Sequence, residues 1–279
     1  MTYHPGSVPA PSVRTAAWHG LQAWFGVVWA GGAYLGFVAV LGYGIGFFAQ
    51  VGVPKGIDDG PRDPALTAIL IDAGLLALFA VQHSVMARPW FKRAWTRLVS
   101  PALERATYVL CTDLLLAVVF WGWRPVHGSI WHVTGVGAGV LGAGAAVGWL
   151  IVIGSTFMIS HADLMGLRQA WLAVRGIPYT PPAFAERGLY RWIRHPLMAG
   201  FIVAFWSSPT MSWGHLLFAT GATGYILVGI ALEEHDLQQQ LGPAYTRYRA
   251  RVPALLPFSR TRRAIRSRGD ARQGGGHGR

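Results

Sequence analysis

Four ionisable side chains at the two ends of one apolar run carry the most legible chemistry in this chain. Arg194-His195-Pro196-Leu197-Met198-Ala199-Gly200 opens the run, and no Asp, Glu, Lys or Arg follows until Glu233-Glu234 closes it. Beyond lie Leu241-Gly242-Pro243-Ala244-Tyr245, Tyr248 and Val252-Pro253-Ala254-Leu255-Leu256-Pro257-Phe258. Charges of both signs at the edge of hydrocarbon are costly unless they bind something. An arginine fork suits a carboxylate, and glutamates accept from an ammonium or from hydroxyls. His195 suits either partner. Tyr245 and Tyr248, three apart on a short helix, would offer one face to a planar ring. The set reads as a site for a small zwitterion.

For these groups to meet, two helices must bring the ends of the run together. Hydrophobic residues make up 52% of the 279 and charged residues only 13%, outside the range of soluble domains and typical of polytopic membrane proteins. The expected fold is all-α: a transmembrane helical bundle of about five to six segments with a C-terminal hairpin core. Runs almost free of charge place helices at about 24–48, 65–86, 106–122 and 133–157, each long enough at about 1.5 Å per residue to cross about 30 Å of hydrocarbon. Residues 196–232 as one helix would extend about 55 Å, so the turn signal Ser207-Ser208-Pro209-Thr210 divides them. With Pro196 at a first helical position, the first arm is about 20 Å long and the second, about 211 to 234, some 36 Å. That inequality puts Glu233-Glu234 about 10 Å above Arg194-His195, with a cleft of nucleoside dimensions between them.

All of the 24 Lys and Arg except Lys55, Arg62 and Arg124 fall in segments that an even number of spans places on one side. By the positive-inside rule that side is the cytoplasm, with both termini there, in a bacterial inner membrane. Residues 1–20 read as a flexible segment, 21–258 as one transmembrane domain with a cofactor core at about 158–258, and 259–279 as a basic disordered tail. Within this plan, residues 1–60 are a peripheral addition. The net charge of +12, Arg249 and Arg251 included, suits anionic lipid headgroups rather than nucleic acid. A single cysteine, Cys111, excludes a disulfide framework and a Cys-cluster metal site. No cleavable signal peptide and no obligate protein partner is evident.

Gly137-Ala138-Gly139-Val140-Leu141-Gly142 spells the glycine fingerprint of dinucleotide sites, which requires a preceding strand and a downstream acid. Embedded in an apolar helix it serves packing instead: Gly135/Gly139, Gly144/Gly148 and Gly32/Gly36 have small-xxx-small spacing. Asp72 and Asp113 fall inside expected spans and point to a polar interior, a cavity or buried hydrogen-bonded groups. Asp72 and His83, eleven residues and about three turns apart, share a helix face.

Arg-His-Pro-x-x-x-Gly, a hairpin, Glu-Glu, Gly-x-x-Tyr-x-x-Tyr and Val-Pro-x-x-x-Pro together resemble the C-terminal core of the isoprenylcysteine carboxyl methyltransferase-like family of integral membrane methyltransferases. Val81-Gln82-His83-Ser84-Val85-Met86-Ala87-Arg88-Pro89, Glu104 to Leu110, Trp121 to Pro125 and His161 to Gln169 look like the branch of that family that methylates methanethiol. The resemblance implies S-adenosyl-L-methionine as cofactor, a small thiol as substrate and dimethyl sulfide as product. It assigns cofactor binding to Arg194, His195, Pro196, Leu197, Met198, Gly200, Glu233, Glu234, Tyr245 and Tyr248. Met198 stands where many relatives carry Tyr.

Transfer to sulfur needs a thiolate, since thiols are mostly protonated near neutral pH. His161 is the expected base with Asp163 as its orienter, and His83 ends a helix on the same side; proximity and orientation can also carry much of the rate. Competing readings are methylation of a prenylated cysteine or another lipophilic acceptor, a sterol-type reductase, and a non-catalytic membrane protein or permease.

Overall fold

In hydrocarbon a backbone amide has no water to bond, so spanning segments close their hydrogen bonds internally as helices. The computed structural model describes residues 16–257; the N-terminal segment up to residue 15 and the basic tail from residue 258 lie outside them. In chain order the elements are α1 (Ala16–Ala49), α2 (Ala65–Ala87), α3 (Pro89–Trp95), α4 (Pro101–Gly122), β1 (Ser129–His132), α5 (Gly135–Ile159), α6 (His161–Leu164), α7 (Leu167–Val174), α8 (Pro196–Trp206), β2 (Thr210–Ser212), α9 (Trp213–Leu241) and α10 (Pro243–Arg251). The chain is an all-α integral membrane protein.

Four stretches, Ala23–Ala49, Ala65–Ala87, Gly135–Ile159 and Trp213–Leu241, are long and apolar enough to cross a membrane. The 22-residue α4, which carries Glu104, Arg105 and Asp113, and the shorter apolar 11-residue α8 pack among them. Proline marks the starts: α3, α4, α8 and α10 each carry it in the first turn, where its missing N–H costs nothing and its fixed φ suits a helix.

Helices α3, α6, α7 and α10 gather at the end of the bundle that carries most of the Arg residues, here the basic end. At the opposite end β1 and β2 pair antiparallel, His132 against Thr210 and Ser129 against Ser212, with a bulge between Ser129 and Trp131. This ribbon is absent from the sequence expectation. It corrects the hairpin geometry too. The segment Ser207–Ser212 is partly extended, and extended chain rises about 3.3 Å per residue, so it lengthens the short arm. Arg194 and Glu234 therefore lie level, in direct contact, rather than about 10 Å apart.

Packing follows the small residues. A Cβ on Gly148 would lie 2.5 Å from the Ala204 nitrogen, and one on Gly200 would lie 2.8 Å from the Gly148 oxygen, so α5 and α8 touch backbone to backbone. Gly144, against Ser207, extends that seam, and Gly36 faces Asp113. Gly32, Gly135 and Gly139 meet nothing within 4 Å, so the packing role expected of them is not realised. Nor is α1 peripheral. Phe47 and Phe48 sit in the main aromatic core with Phe120, Trp123, Trp149, Phe205 and Phe218, and Ala30 and Ala33 join Met86, Tyr108 and Met165 nearer the basic end.

Candidate active site

Pro196 starts α8 and directs the two preceding residues back over the basic end. The Arg194 and His195 amides donate to the Pro253 and Ala254 carbonyls at 2.9 and 3.0 Å, so the Val252-Pro253-Ala254 stretch is stitched beneath α8. The side chains then close a clamp. Arg194 Nε and Nη2 donate to one oxygen of Glu234, Oε1, at 2.7 and 2.6 Å. Its Nη1 donates to the carbonyls of Arg249, at 3.1 Å, and Val252. Arg249 Nε reaches the other Glu234 oxygen at 3.2 Å. Arg194 and Glu234 are only 9% and 8% exposed, so each neutralises the other where neither would survive unpaired.

His195 bridges the glutamates: Nε2 lies 3.1 Å from Glu234 Oε1, and Nδ1 lies 3.7 Å from Glu233 Oε2. Glu233 itself remains 47% exposed. Of the two carboxylates it is the open one.

Arg194, expected to hold a ligand carboxylate, directs four of its five N–H groups at Glu234 and at carbonyls of the C-terminal segment. Arg249, expected at lipid headgroups, is part of the clamp, and Arg251 pairs with Glu186 at 2.8 Å. The place of Arg249, one residue after Tyr248, was the available signal. Gly200 is also reassigned, since it faces α5 across the close seam described above. Pro196 is buried, while Leu197 and Met198 are half-buried in the first turn of α8.

Tyr245 and Tyr248 are 1% and 3% exposed. They pack with Val252, Leu237 and Leu241 and meet Phe184 edge-on. Burial pushes both phenols up to about 12. The Tyr248 hydroxyl donates to the Tyr190 carbonyl at 2.7 Å, whereas the Tyr245 hydroxyl has no partner among the described residues. An unbonded buried hydroxyl is unusual and costly. It lies in the field of Glu234, Arg194 and Glu233.

His161, just past α5, has partners for both ring nitrogens, and they are best satisfied with the proton on Nδ1. The Thr156 hydroxyl lies 2.7 Å from the Ile153 carbonyl and 2.8 Å from His161 Nδ1; donating to the carbonyl, it can accept an Nδ1–H. Nε2 then keeps its lone pair, 3.3 Å from the Tyr34 hydroxyl. Phe157 stacks on the ring at 4.2 Å, and burial lowers its pKa. Asp163 is not its orienter: its carboxylate takes the Tyr179 hydroxyl at 3.1 Å and Arg168 at 3.5 Å.

His83 sits apart, between α2 and α4, with Tyr108 at 2.9 Å and Thr112 at 3.3 Å. Asp72 lies toward the opposite end of α2, accepting from the Arg124 amide at 2.8 Å, so the shared helix face with His83 makes no joint site. Asp113 is buried between α4 and α1.

These features define an all-helical membrane protein whose last hairpin and C-terminal segment converge on a charged clamp. The chain is 48% identical to the Methanethiol S-methyltransferase of Mycobacterium tuberculosis over 239 residues, 85% of this chain and 98% of that one. It is 47% identical to Methanethiol S-methyltransferase 2 of Bradyrhizobium diazoefficiens over 82% and 90% of the two chains. More distantly it is 30% identical to the Nurim of Bos taurus over 62% and 69%. No protein-family model matches it, and no solved structure does. This chain belongs to the methanethiol S-methyltransferase family.

Proposed function

We propose that the protein transfers the methyl group of S-adenosyl-L-methionine to methanethiol, releasing dimethyl sulfide, with its basic end facing the cytoplasm of the bacterial inner membrane. The orientation follows from the Arg-rich connections gathered at that end. What carries the reading is the similarity to a Methanethiol S-methyltransferase over 98% of that relative's length.

The residues beside the clamp fit such a cofactor. Glu233 offers an open carboxylate for an ammonium or a ribose diol, and the unpaired Tyr245 hydroxyl offers one hydrogen bond among aromatic rings suited to a purine. Arg194, Glu234 and Arg249 fix the C-terminal segment against the start of α8 and so hold Glu233 and Tyr245 in place. When bound, S-adenosylmethionine supplies a methyl group on a cationic sulfur.

The thiol must lose its proton as the new carbon–sulfur bond forms. The His161 Nε2 lone pair, held by the Thr156 relay, is our candidate acceptor. A small apolar thiol reaches this level through the lipid.

The test is direct. Purified protein given methyl-labelled S-adenosylmethionine and methanethiol should yield labelled dimethyl sulfide, and Glu233→Gln should suppress it. Turnover on a prenylated cysteine without turnover on methanethiol would overturn the acceptor.

A further inference from the structure

With Arg194 committed to Glu234, the carboxylate of a zwitterionic donor needs another cation. A cavity at the basic end, about 310 Å³, provides one. It lies among α3, α4, α6 and α7, and its polar wall is Lys92, Glu104, Arg105, Asp163, Gln169 and Tyr179. That volume is at the small end of ligand sites.

The charges are unevenly occupied. Asp163 is engaged by Tyr179 and Arg168, and Arg105 uses Nε on the Leu164 carbonyl at 2.8 Å, leaving its terminal nitrogens for the cavity. Among the described residues no ion pair reaches Lys92 or Glu104. Gln169, 8% exposed, donates to the Asp163 carbonyl at 3.1 Å, yet its Oε1 has no donor. A buried acceptor left bare costs about 1–3 kcal/mol unless something supplies a proton.

The cavity also adjoins the clamp's support. Ile159 and Ser160 line it, and the neighbouring Met158 sulfur accepts from the Leu189 amide at 3.3 Å. One residue further, Tyr190 receives the Tyr248 hydroxyl.

We infer that this cavity is the subsite for the ammonium and carboxylate of the methyl donor's amino-acid end. Arg105 and Lys92 face the carboxylate, while Glu104 and Gln169 Oε1 accept from the ammonium. The inference rests on the S-adenosylmethionine reading above and adds where one end of that molecule lies.

Two probes separate the ends: S-adenosylhomocysteine, and 5′-methylthioadenosine, which keeps the adenosine and sulfur but lacks the amino-acid end. Calorimetric titration of the full-length protein in phosphatidylcholine nanodiscs should show S-adenosylhomocysteine binding at least about tenfold more tightly. Glu104→Gln and Lys92→Gln should each remove about tenfold of its affinity while leaving methylthioadenosine within about twofold. Thermal unfolding at the wild-type temperature confirms that each variant is folded. Unchanged S-adenosylhomocysteine affinity in both folded variants, or equal losses for the two probes, overturns the subsite. So does stabilisation of wild type, but not of the variants, by phosphatidylethanolamine alone, which would mark a lipid headgroup site. Failure of wild type to bind either probe would instead overturn the underlying cofactor reading.

Discussion

Glu234 holds Arg194 through a single carboxylate oxygen, 2.7 Å from Nε and 2.6 Å from Nη2, which leaves its other oxygen for Arg249 at 3.2 Å. One buried carboxylate thus joins α9 to Arg194, two residues before α8, and to α10. Its removal strands two arginines rather than one.

Arg194→Ala leaves Glu234 buried without its main partner, a loss of the kind that costs about 3–5 kcal/mol. The expected result is a lower unfolding temperature and rapid proteolysis between residues 242 and 257, because the carbonyls of Arg249 and Val252 lose their donor as well. Ligand-free protein should already show both changes; a variant with wild-type stability would mean that the clamp carries no structural role.

Glu233→Gln behaves in the opposite way. The side chain is half exposed and, among the described residues, its one ion-pair partner is His195 at 3.7 Å, so stability should stay within about 0.5 kcal/mol. S-adenosylhomocysteine affinity should nevertheless fall about tenfold. Equal effects of the Glu233 and Glu234 substitutions on melting would contradict this division of labour.

The two glutamates show how far the sequence could be read. Charge-free runs place α2 and α5 within two residues of their observed ends, since hydrocarbon forces helix on any such run. Helices α3, α6 and α7 are short and carry charge, and the ribbon pairs residues about 80 positions apart, so no local periodicity announces them. In the site, the residue types signalled a charged constellation, but an arginine suited to a ligand carboxylate is equally suited to Glu234. Which partner it takes depends on whether the hairpin arms end level, and six linker residues decide that.

The close seam between α5 and α8 is testable because helix association in lipid depends on close packing rather than on water exclusion. Gly148→Val would drive side-chain atoms into the backbone around Gly200 and Ala204, and folded yield should collapse. Gly139→Ala, which meets nothing within 4 Å, should leave yield and melting unchanged. Tolerance of Gly148→Val would mean that the seam is looser than its geometry.

The tyrosine pair separates bonding from ligand contact. Tyr248→Phe loses the bond to the Tyr190 carbonyl and should cost about 1 kcal/mol. Tyr245→Phe removes a hydroxyl that has no partner among the described residues, so ligand-free stability should hold or rise. Its S-adenosylhomocysteine affinity should fall by several-fold. Unaltered binding would assign that hydroxyl to nothing the cofactor touches.

His161 sets the acid side of the pH response. Burial lowers its pKa from the ordinary 6.5, so between that value and the lowered one the unfolded chain binds a proton that the folded chain does not. Its contribution to stability is therefore present above pH 6.5 and declines as pH falls below it. The same sign applies to proton transfer. The Nε2 lone pair persists below pH 6.5, and the acid limb of kcat/KM for methanethiol should fall below that value rather than at it. His161→Asn should remove this limb and lower the rate about 10²-fold or more. Thr156→Val, which releases Nδ1, should displace the limb while preserving the fold. If His161→Asn retains both rate and limb, the proton leaves by another route, and His83 with its Tyr108 partner becomes the group to substitute next.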